Sequence, residues 1–500
     1  MKNNNIFELV CILTVFLLGM FIWTAPIRNN PLPYGESDAA SHYSLIELTS
    51  SSDRSIYALP TILDFRYGHD NKFISHTLWY HPHYHLNIAL INMFAGQSTT
   101  IIYYVVALFS LLFVVSIYYV IRSLYGFWPA ILSALMLVVS GRDLMVFLWG
   151  QWPERLAYAF IPLILFAYYR YIKTDKPVYL ILCAILSAFN LFIHPVSFFH
   201  STMAVAILAI LFLIKYKKFN IKHYSFALLI FIGIIMLFPS QTGNVLLRAG
   251  GSERTEPVSW TALFKWYEIP DIENQGVPMG YFSYDEMYMG WWTLPFLILG
   301  ILFIIVRRKD EDLFMLSWLM GLYLMLHLNI IGAGRIHRSL AAEAHVFYPL
   351  IAIGVMSIVL LSKKHREKIK IGLCIVACAV VIFTAVIPTY QFTQDVYGGR
   401  LSQNQYDVSE WMKTNLPEDA VVQGFGQLPV IKIDWMRAIS HRLCNDVYAP
   451  YFNYSVTHLL LDYNDVLTYG IRADNLFDLE KKLNRTPIYN EKYIKIFNIK

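Results

Sequence analysis

Long apolar runs separated by short polar breaks dominate the chain. A helix that crosses a bilayer needs about 20 consecutive apolar residues. Such runs fall near 6–24, 100–121, 127–140, 155–172, 177–193, 196–214, 224–239, 291–306, 312–330, 345–361 and 371–388, which predicts about eleven membrane helices. Basic residues recur after alternate runs. They are Arg122; Arg170, Lys173 and Lys176; Lys215, Lys217, Lys218 and Lys222; Arg307, Arg308 and Lys309; and Lys363, Lys364, Arg366, Lys368 and Lys370. Short loops rich in Lys and Arg stay cytoplasmic, so the amino terminus is expected inside and everything from about Thr389 onward outside.

The outer side then carries the long segments, about 25–99, 141–154, 240–290 and 331–344. Within the first of these, residues 86–94 are apolar but too few to span, and the run reads as an interfacial helix ending at a turn at Gly96. Beyond residue 389 the pattern changes. Residues 406–413 read as an amphipathic helix stopped at Leu416-Pro417, 420–423 and 456–461 as strands, 474–483 as a helix and 488–496 as a terminal hairpin. The expected architecture is a mainly α polytopic membrane domain over 1–389 and a small extracytoplasmic α/β domain over 390–500.

Composition agrees. Hydrophobic residues make up 56% and charged residues 15%, against about 25% charge in a soluble domain. A net charge of +5 without a basic tail argues against nucleic acid as a partner. The five cysteines are scattered and imply no disulfide framework; Cys374 and Cys378, four apart without histidine or acidic company, read as packing. The first run is followed by Thr24-Ala25-Pro26, a poor cleavage site, so it reads as a retained helix. No internal repeat supports an inverted-repeat transporter.

Against this apolar background, Tyr34-Gly35-Glu36-Ser37-Asp38-Ala39-Ala40-Ser41-His42-Tyr43 places two carboxylates and a histidine at the membrane surface. It reads either as a catalytic corner or as a helix start capped by Ser37 or Asp38. Glu36 and Asp38 would diverge by roughly 200° on a helix, so they converge only if the turn at Gly35 is not helical. His42, four residues beyond Asp38, would share its helix face. Other outer-side candidates follow. Trp79-Tyr80-His81-Pro82-His83-Tyr84-His85 adds three histidines. Arg142-Asp143 reads as a local ion pair or a second acidic position. Gln151-Trp152-Pro153-Glu154-Arg155 reads as a pocket wall, with Trp152 as a sugar-stacking surface, or as an interfacial anchor. Gly332-Ala333-Gly334-Arg335-Ile336-His337-Arg338 offers guanidinium forks suited to phosphate, or arginines snorkelling at an interface.

The acidic corner, the x-Pro-x-Tyr step at 81–84 and the tail phrase Glu410-Trp411-Met412-Lys413-Thr414-Asn415-Leu416-Pro417-Glu418-Asp419-Ala420 together resemble the GT-C superfamily of membrane glycosyltransferases. The resemblance implies an inverting enzyme that moves a hexosyl or pentosyl group from a polyprenyl-phosphate donor to an extracytoplasmic acceptor (protein, lipid or glycan) at the plasma membrane. It gives Asp38 the role of general base with Glu36 assisting. Arg335, Arg338 and His337 would hold the donor phosphate. His42, His81, His83, Tyr84, Trp152, Glu154 and Arg155 would line or support the pocket. The family is divided over metals, so a divalent ion (Mg or Mn) on Asp38, His42 and His83 is left open, as is an interfacial role for the histidines. Two departures matter. Family members usually show x-Pro-Pro-Leu-Tyr where this chain has His81-Pro82-His83-Tyr84. The Trp-Trp-Asp-Tyr-Gly phrase of oligosaccharyltransferases is also absent, since Trp291-Trp292 leads into Thr293-Leu294. Transfer of a whole oligosaccharide, or glycan polymerisation, is the alternative within the family; a lipid-glycan flippase is the alternative outside it.

Overall fold

The computed structural model describes residues 2–51, 83–217, 219–237, 290–328, 336–358, 366–394, 400–425, 430–445, 456–463 and 474–500. Its membrane part begins with α1 (Lys2–Trp23), α2 (Ala25–Asn29) and α3 (Ser37–Ser51). Then come α4 (His83–Ala95), α5 (Thr99–Ser110), α6 (Leu112–Tyr125), α7 (Phe127–Val138) and α8 (Gly141–Leu148). The bundle continues through α9 (Trp152–Tyr158), α10 (Phe160–Thr174), α11 (Pro177–Ile193), α12 (Pro195–Tyr216) and α13 (Ile221–Ile235). Its last helices are α14 (Leu294–Arg307), α15 (Asp310–Leu328), α16 (Ile336–Ser357), α17 (Arg366–Val381) and α18 (Ile387–Gln394).

Helix α7 lies at the centre. Every residue from Pro129 to Val138 is buried, the mark of a helix surrounded on all sides. Helix α1 packs on it with one face, where Trp23 donates its indole N–H to the Val138 carbonyl at 3.0 Å. The other face leaves Leu9, Leu13 and Leu17 exposed, as expected of a helix turned toward lipid. Helices α14 and α16 touch backbone to backbone. A Cβ at Gly300 would lie 2.0 Å from the Leu350 carbonyl oxygen, and one at Gly354 1.9 Å from that of Phe296. Small residues allow such close crossings where apolar surface alone gives helices no reason to associate.

Among the described residues, four helices are long and apolar enough to cross a membrane: Ile6–Trp23, Thr99–Tyr125, Pro195–Tyr216 and Ile371–Gln394. A fifth crossing arises if Phe127–Val138 and Gly141–Leu148, bent by 42°, form one broken span. Pro177–Ile193, Ile221–Ile235, Trp291–Arg307 and Ala342–Ser357 are apolar but shorter. The run expected at 155–172 is divided at Ala159 between α9 and α10. The interfacial run begins at His83 and ends at Gly96, whose φ of 104° lets the chain turn. At about 1.5 Å per residue α4 is too short to span, and it leaves Leu90, Met93 and Phe94 exposed.

Basic residues from four of the five expected basic loops gather at one end of the bundle. Lys173 and Lys215, from different loops, both bind Asp310, at 2.5 and 2.8 Å. Arg307 binds Asp312 at 2.6 Å, and Arg122 reaches back to Glu8 in α1 at 2.7 Å.

The carboxy-terminal part holds a five-stranded sheet of order β2-β1-β3-β5-β4. Helix α19 (Gln403–Asn415) leads into β1 (Val421–Phe425), α20 (Val430–Ser440) and β2 (Leu443–Asn445). Strand β3 (His458–Asp462), helix α21 (Asp474–Leu483), β4 (Tyr489–Glu491) and β5 (Ile494–Asn498) complete it. Strand β1 pairs in parallel with β2 and β3, while β5 runs antiparallel to β3 and β4. The expected strands, helices and terminal hairpin are all present. Ser402 and Gln405 close a capping box at the start of α19, and Lys492 and Tyr493, both at positive φ, form the hairpin turn. Helix α20 and strand β2 are additions.

Candidate active site

The corner around Asp38 is built by a turn that only glycine tolerates. Gly35 has φ +115°, and a Cβ there would lie 2.6 Å from the Ala39 methyl and 2.9 Å from the Leu148 carbonyl. That turn lifts Glu36 out of the helix. Its N–H donates to the Leu148 carbonyl at 3.3 Å, and its own carbonyl accepts the N–H groups of Ala39 and Ala40. Glu36 therefore stands at the N-cap position and Asp38 in the first turn of α3. A carboxylate there lies near the positive end of the helix dipole. The non-helical turn that convergence of Glu36 and Asp38 requires is present.

Asp38 and His42 are both buried, at 7% and 5% exposure, and lie one helical turn apart. His42 Nδ1 and His85 Nε2 are 2.9 Å apart and share a hydrogen bond, so α3 and α4 meet at a histidine pair. His83 is half-buried at the start of α4, where burial lowers its basicity. Tyr84 is buried against His85 and Phe109.

The wall opposite α3 is the turn between α8 and α9. Gly150 has φ +88°, and a Cβ there would lie 2.0 Å from the Ala39 backbone nitrogen. Gly150→Ala is therefore expected to cost about 1–3 kcal/mol in backbone strain alone, plus a clash with α3. Gly233→Ala, in a helix with open space around it, should be neutral or stabilising by up to about 1 kcal/mol. Thermal unfolding of the purified protein in lipid compares the two; equal melting would remove Gly150 from this wall. Beyond Gly150, Trp152 donates its indole N–H to the Phe147 carbonyl at 3.0 Å and packs edge-on against Tyr103. At 1% exposure it offers no open face to a sugar and no anchor to an interface. It is packing that holds the His42 side of the corner.

Glu154 and Arg155 also face inward, at 1% and 0% exposure. Glu154 accepts a hydrogen bond from the Tyr158 hydroxyl. Arg155 pairs with Asp143, which also binds His345 Nε2 at 2.8 Å. Arg142 instead pairs with Glu343 at 2.7 Å. The local Arg142–Asp143 pair expected from the sequence is thus replaced by two pairs that tie α8 to α9 and α16. His345 carries no local sequence signal of this pairing.

The carboxy-terminal part closes the corner from the other side. Trp435 donates its indole N–H to the Gly35 carbonyl at 2.7 Å. Arg400 donates to the Pro26 carbonyl at 2.9 Å and lies over the Tyr34 ring. At the far end of α3, Glu47 accepts from Lys413 at 3.0 Å and lies 2.6 Å from His441 Nε2. Burial opposes ionisation of Glu47, but His441 and Lys413 outweigh it and hold the carboxyl below its ordinary value of 4.5. A carboxyl depressed on folding contributes stability that is present above the unfolded value and lost as pH falls through the folded one. The clasp should hold at neutral pH and release below about pH 4.5. Hydrogen exchange over 403–445 is expected to rise on acidification in the wild type. In Glu47→Gln it should already be raised at pH 7, by about 1 kcal/mol of opening free energy; matching neutral-pH protection in the two proteins would discount the clasp.

Arg335 and His81 lie outside the described residues. For His337 and Arg338 only the backbone, in the first turn of α16, is described. The structure places His42 against His85 and near Trp152, and Arg155 against Asp143 and His345; of these, His345 alone is not among the sequence candidates. No group of three or more His, Cys, Asp or Glu residues among the described ones could hold a metal, and His42 spends its Nδ1 on His85.

A family model described as "Family of unknown function (DUF6541)" matches residues 4–425. The chain belongs to this family. Among curated proteins none matches in sequence. Solved structures do match in fold. The Archaeoglobus fulgidus oligosaccharyltransferase in complex with Zn and sulfate aligns over 90% of this chain and 68% of its own, with TM-score 0.57 and 15% identity. The same enzyme tethered to an acceptor peptide containing the NVT sequon aligns over 90% and 69%, with TM-score 0.55 and 14% identity. ArnT from Cupriavidus metallidurans bound to undecaprenyl phosphate aligns over 98% and 97%, with TM-score 0.58 and 9% identity. This member of the family thus shares its fold with the archaeal oligosaccharyltransferase and with ArnT.

Proposed function

We propose that the protein is a membrane glycosyltransferase that moves one sugar, a hexosyl or pentosyl group, from a polyprenyl-phosphate donor to an acceptor outside the plasma membrane, with inversion. The observation that carries this reading is the placement of Asp38, a buried carboxylate in the first turn of α3, on a fold shared end to end with ArnT. The chemistry asks little more. A phosphate leaves as a stable anion, so the second carboxylic acid that a glycosidase needs is dispensable, and one base suffices to take the acceptor's proton. Asp38 is that base, oriented by its helix start, with Glu36 beside it at the N-cap. His42 and His85 fix the position of α3 against α4. Arg335, His337 and Arg338 are assigned to the donor phosphate.

A divalent metal is not routed through this scheme, because the described residues supply no ligand set for one. The likeness to an archaeal oligosaccharyltransferase favours lipid-linked oligosaccharides as the second class of donor. Purified protein in lipid, offered radiolabelled polyprenyl-phosphate monosaccharides and lipid-linked oligosaccharides, tests both. Release of polyprenyl phosphate from a monosaccharide donor supports the first reading, and reaction of the oligosaccharide alone the second. Movement of intact donor across the bilayer without sugar release would replace both with flipping.

A further inference from the structure

At the end of the bundle where the basic loops gather, α6, α10 and α11 enclose an open cleft of about 630 Å³. Its floor is apolar, formed by Leu163, Phe166 and Leu186. Its mouth lies among Tyr119 and Leu182, exposed by 54% and 43%, on a surface continuous with the exposed Val115 and Val178. Its rim is polar, carrying Arg170, Ser123 and Tyr179.

Charge decides what the rim can hold. Several neighbouring cations have carboxylate partners: Arg122 pairs with Glu8, Lys173 and Lys215 share Asp310, and Arg307 pairs with Asp312, while Lys176, close to Tyr179, adds positive charge to the rim. Arg170 has no carboxylate partner among the described residues. Its guanidinium lies 5.4 Å from the centre of the Tyr179 ring. Glu311, also on the rim, is drawn toward Arg307 at 3.4 Å. Among the described residues the Arg170 guanidinium is hydrogen-bonded to the Tyr179 hydroxyl alone, and its remaining N–H groups match the oxygens of a phosphate ester. An apolar slot opening onto the bundle's outer surface matches a hydrocarbon chain.

We propose that this cleft binds one anionic membrane lipid, its phosphate on Arg170 and its chain along Leu163, Phe166 and Leu186. The site is at the opposite end of the bundle's connections from the Asp38 corner and does not depend on the glycosyl-transfer reading. Bound there, a lipid would bridge α6, α10 and α11 and complete an otherwise open groove.

Native mass spectrometry of the full chain, titrated with phosphatidylglycerol or phosphatidylcholine, tests the proposal. The wild type should retain one phosphatidylglycerol with about tenfold preference, the scale of one charge-assisted contact. Arg170→Gln should lose the preference and Arg170→Lys keep part of it. Leu186→Trp, which fills the slot, should weaken binding of both lipids. Equal retention of the two lipids by the wild type, or a preference unchanged in Arg170→Gln, would overturn it. So would equally strong competition by glycerol phosphate, which carries the ester without a chain.

Discussion

Replacing Asp38 with Asn is expected to lower sugar transfer by about a hundredfold or more, the range associated with losing a general base. The substitution is close to isosteric and Asn is well tolerated at a helix start, so α3 should still form at the turn set by Gly35. A lost base acts on the chemical step. The fall should therefore appear in kcat, with KM for the donor little changed. Single-turnover release of polyprenyl phosphate from a labelled donor measures it directly. Thermal unfolding checks that the variant is folded. If Asp38→Asn turns over at the wild-type rate, Asp38 only starts the helix and the base must be sought elsewhere. A simultaneous loss of activity and of the folded state would leave Gln as the next substitution, since it keeps hydrogen bonding without the charge.

The largest effect on stability is expected at Asp143. Its carboxylate is wholly buried, shared between Arg155 and His345, and joins three helices, α8, α9 and α16. Removing one partner of a buried pair strands the other charge in an apolar interior and costs about 3–5 kcal/mol. Asp143→Ala should therefore melt far below the wild type in the same lipid. Replacing both partners with apolar residues of similar size is often neutral. The double variant Asp143→Leu with Arg155→Met should recover most of the loss. If the single variant melts with the wild type, or the double variant is as unstable as the single, the pair is not the staple described here.

Some of this arrangement was legible in the chain and some was not, for physical reasons. Asp38 stood out because an ionisable group among apolar helices is costly unless something uses it. The helix read at 406–413, which extends over 403–415 in the structure, and the terminal hairpin were readable because amphipathic spacing, a proline stop and a turn are local signals. Tertiary pairing has no such signature. Nothing near His345 marks it as the partner of Asp143, which lies 202 residues away. Glu47 and His441 lie 394 residues apart, and neither carries a local mark of the pairing. Trp152 reads as a sugar-stacking wall or an interfacial anchor because an isolated Trp suits either; the turn at Gly150 folds it inward. Helix α20 and strand β2 are short, and their apolar residues follow neither a clean helical nor a clean alternating period.

The contacts of Trp435 and Arg400 with Gly35, Pro26 and Tyr34 also carry a consequence for biosynthesis. The segment bearing Asp38 leaves the ribosome well before its closing partners Arg400 and Trp435. The helices can enter the membrane in order as they are made while the corner waits, unfinished, for residues 400 apart in the chain to meet. A translation product broken off before Arg400 would carry the acidic residues without their frame.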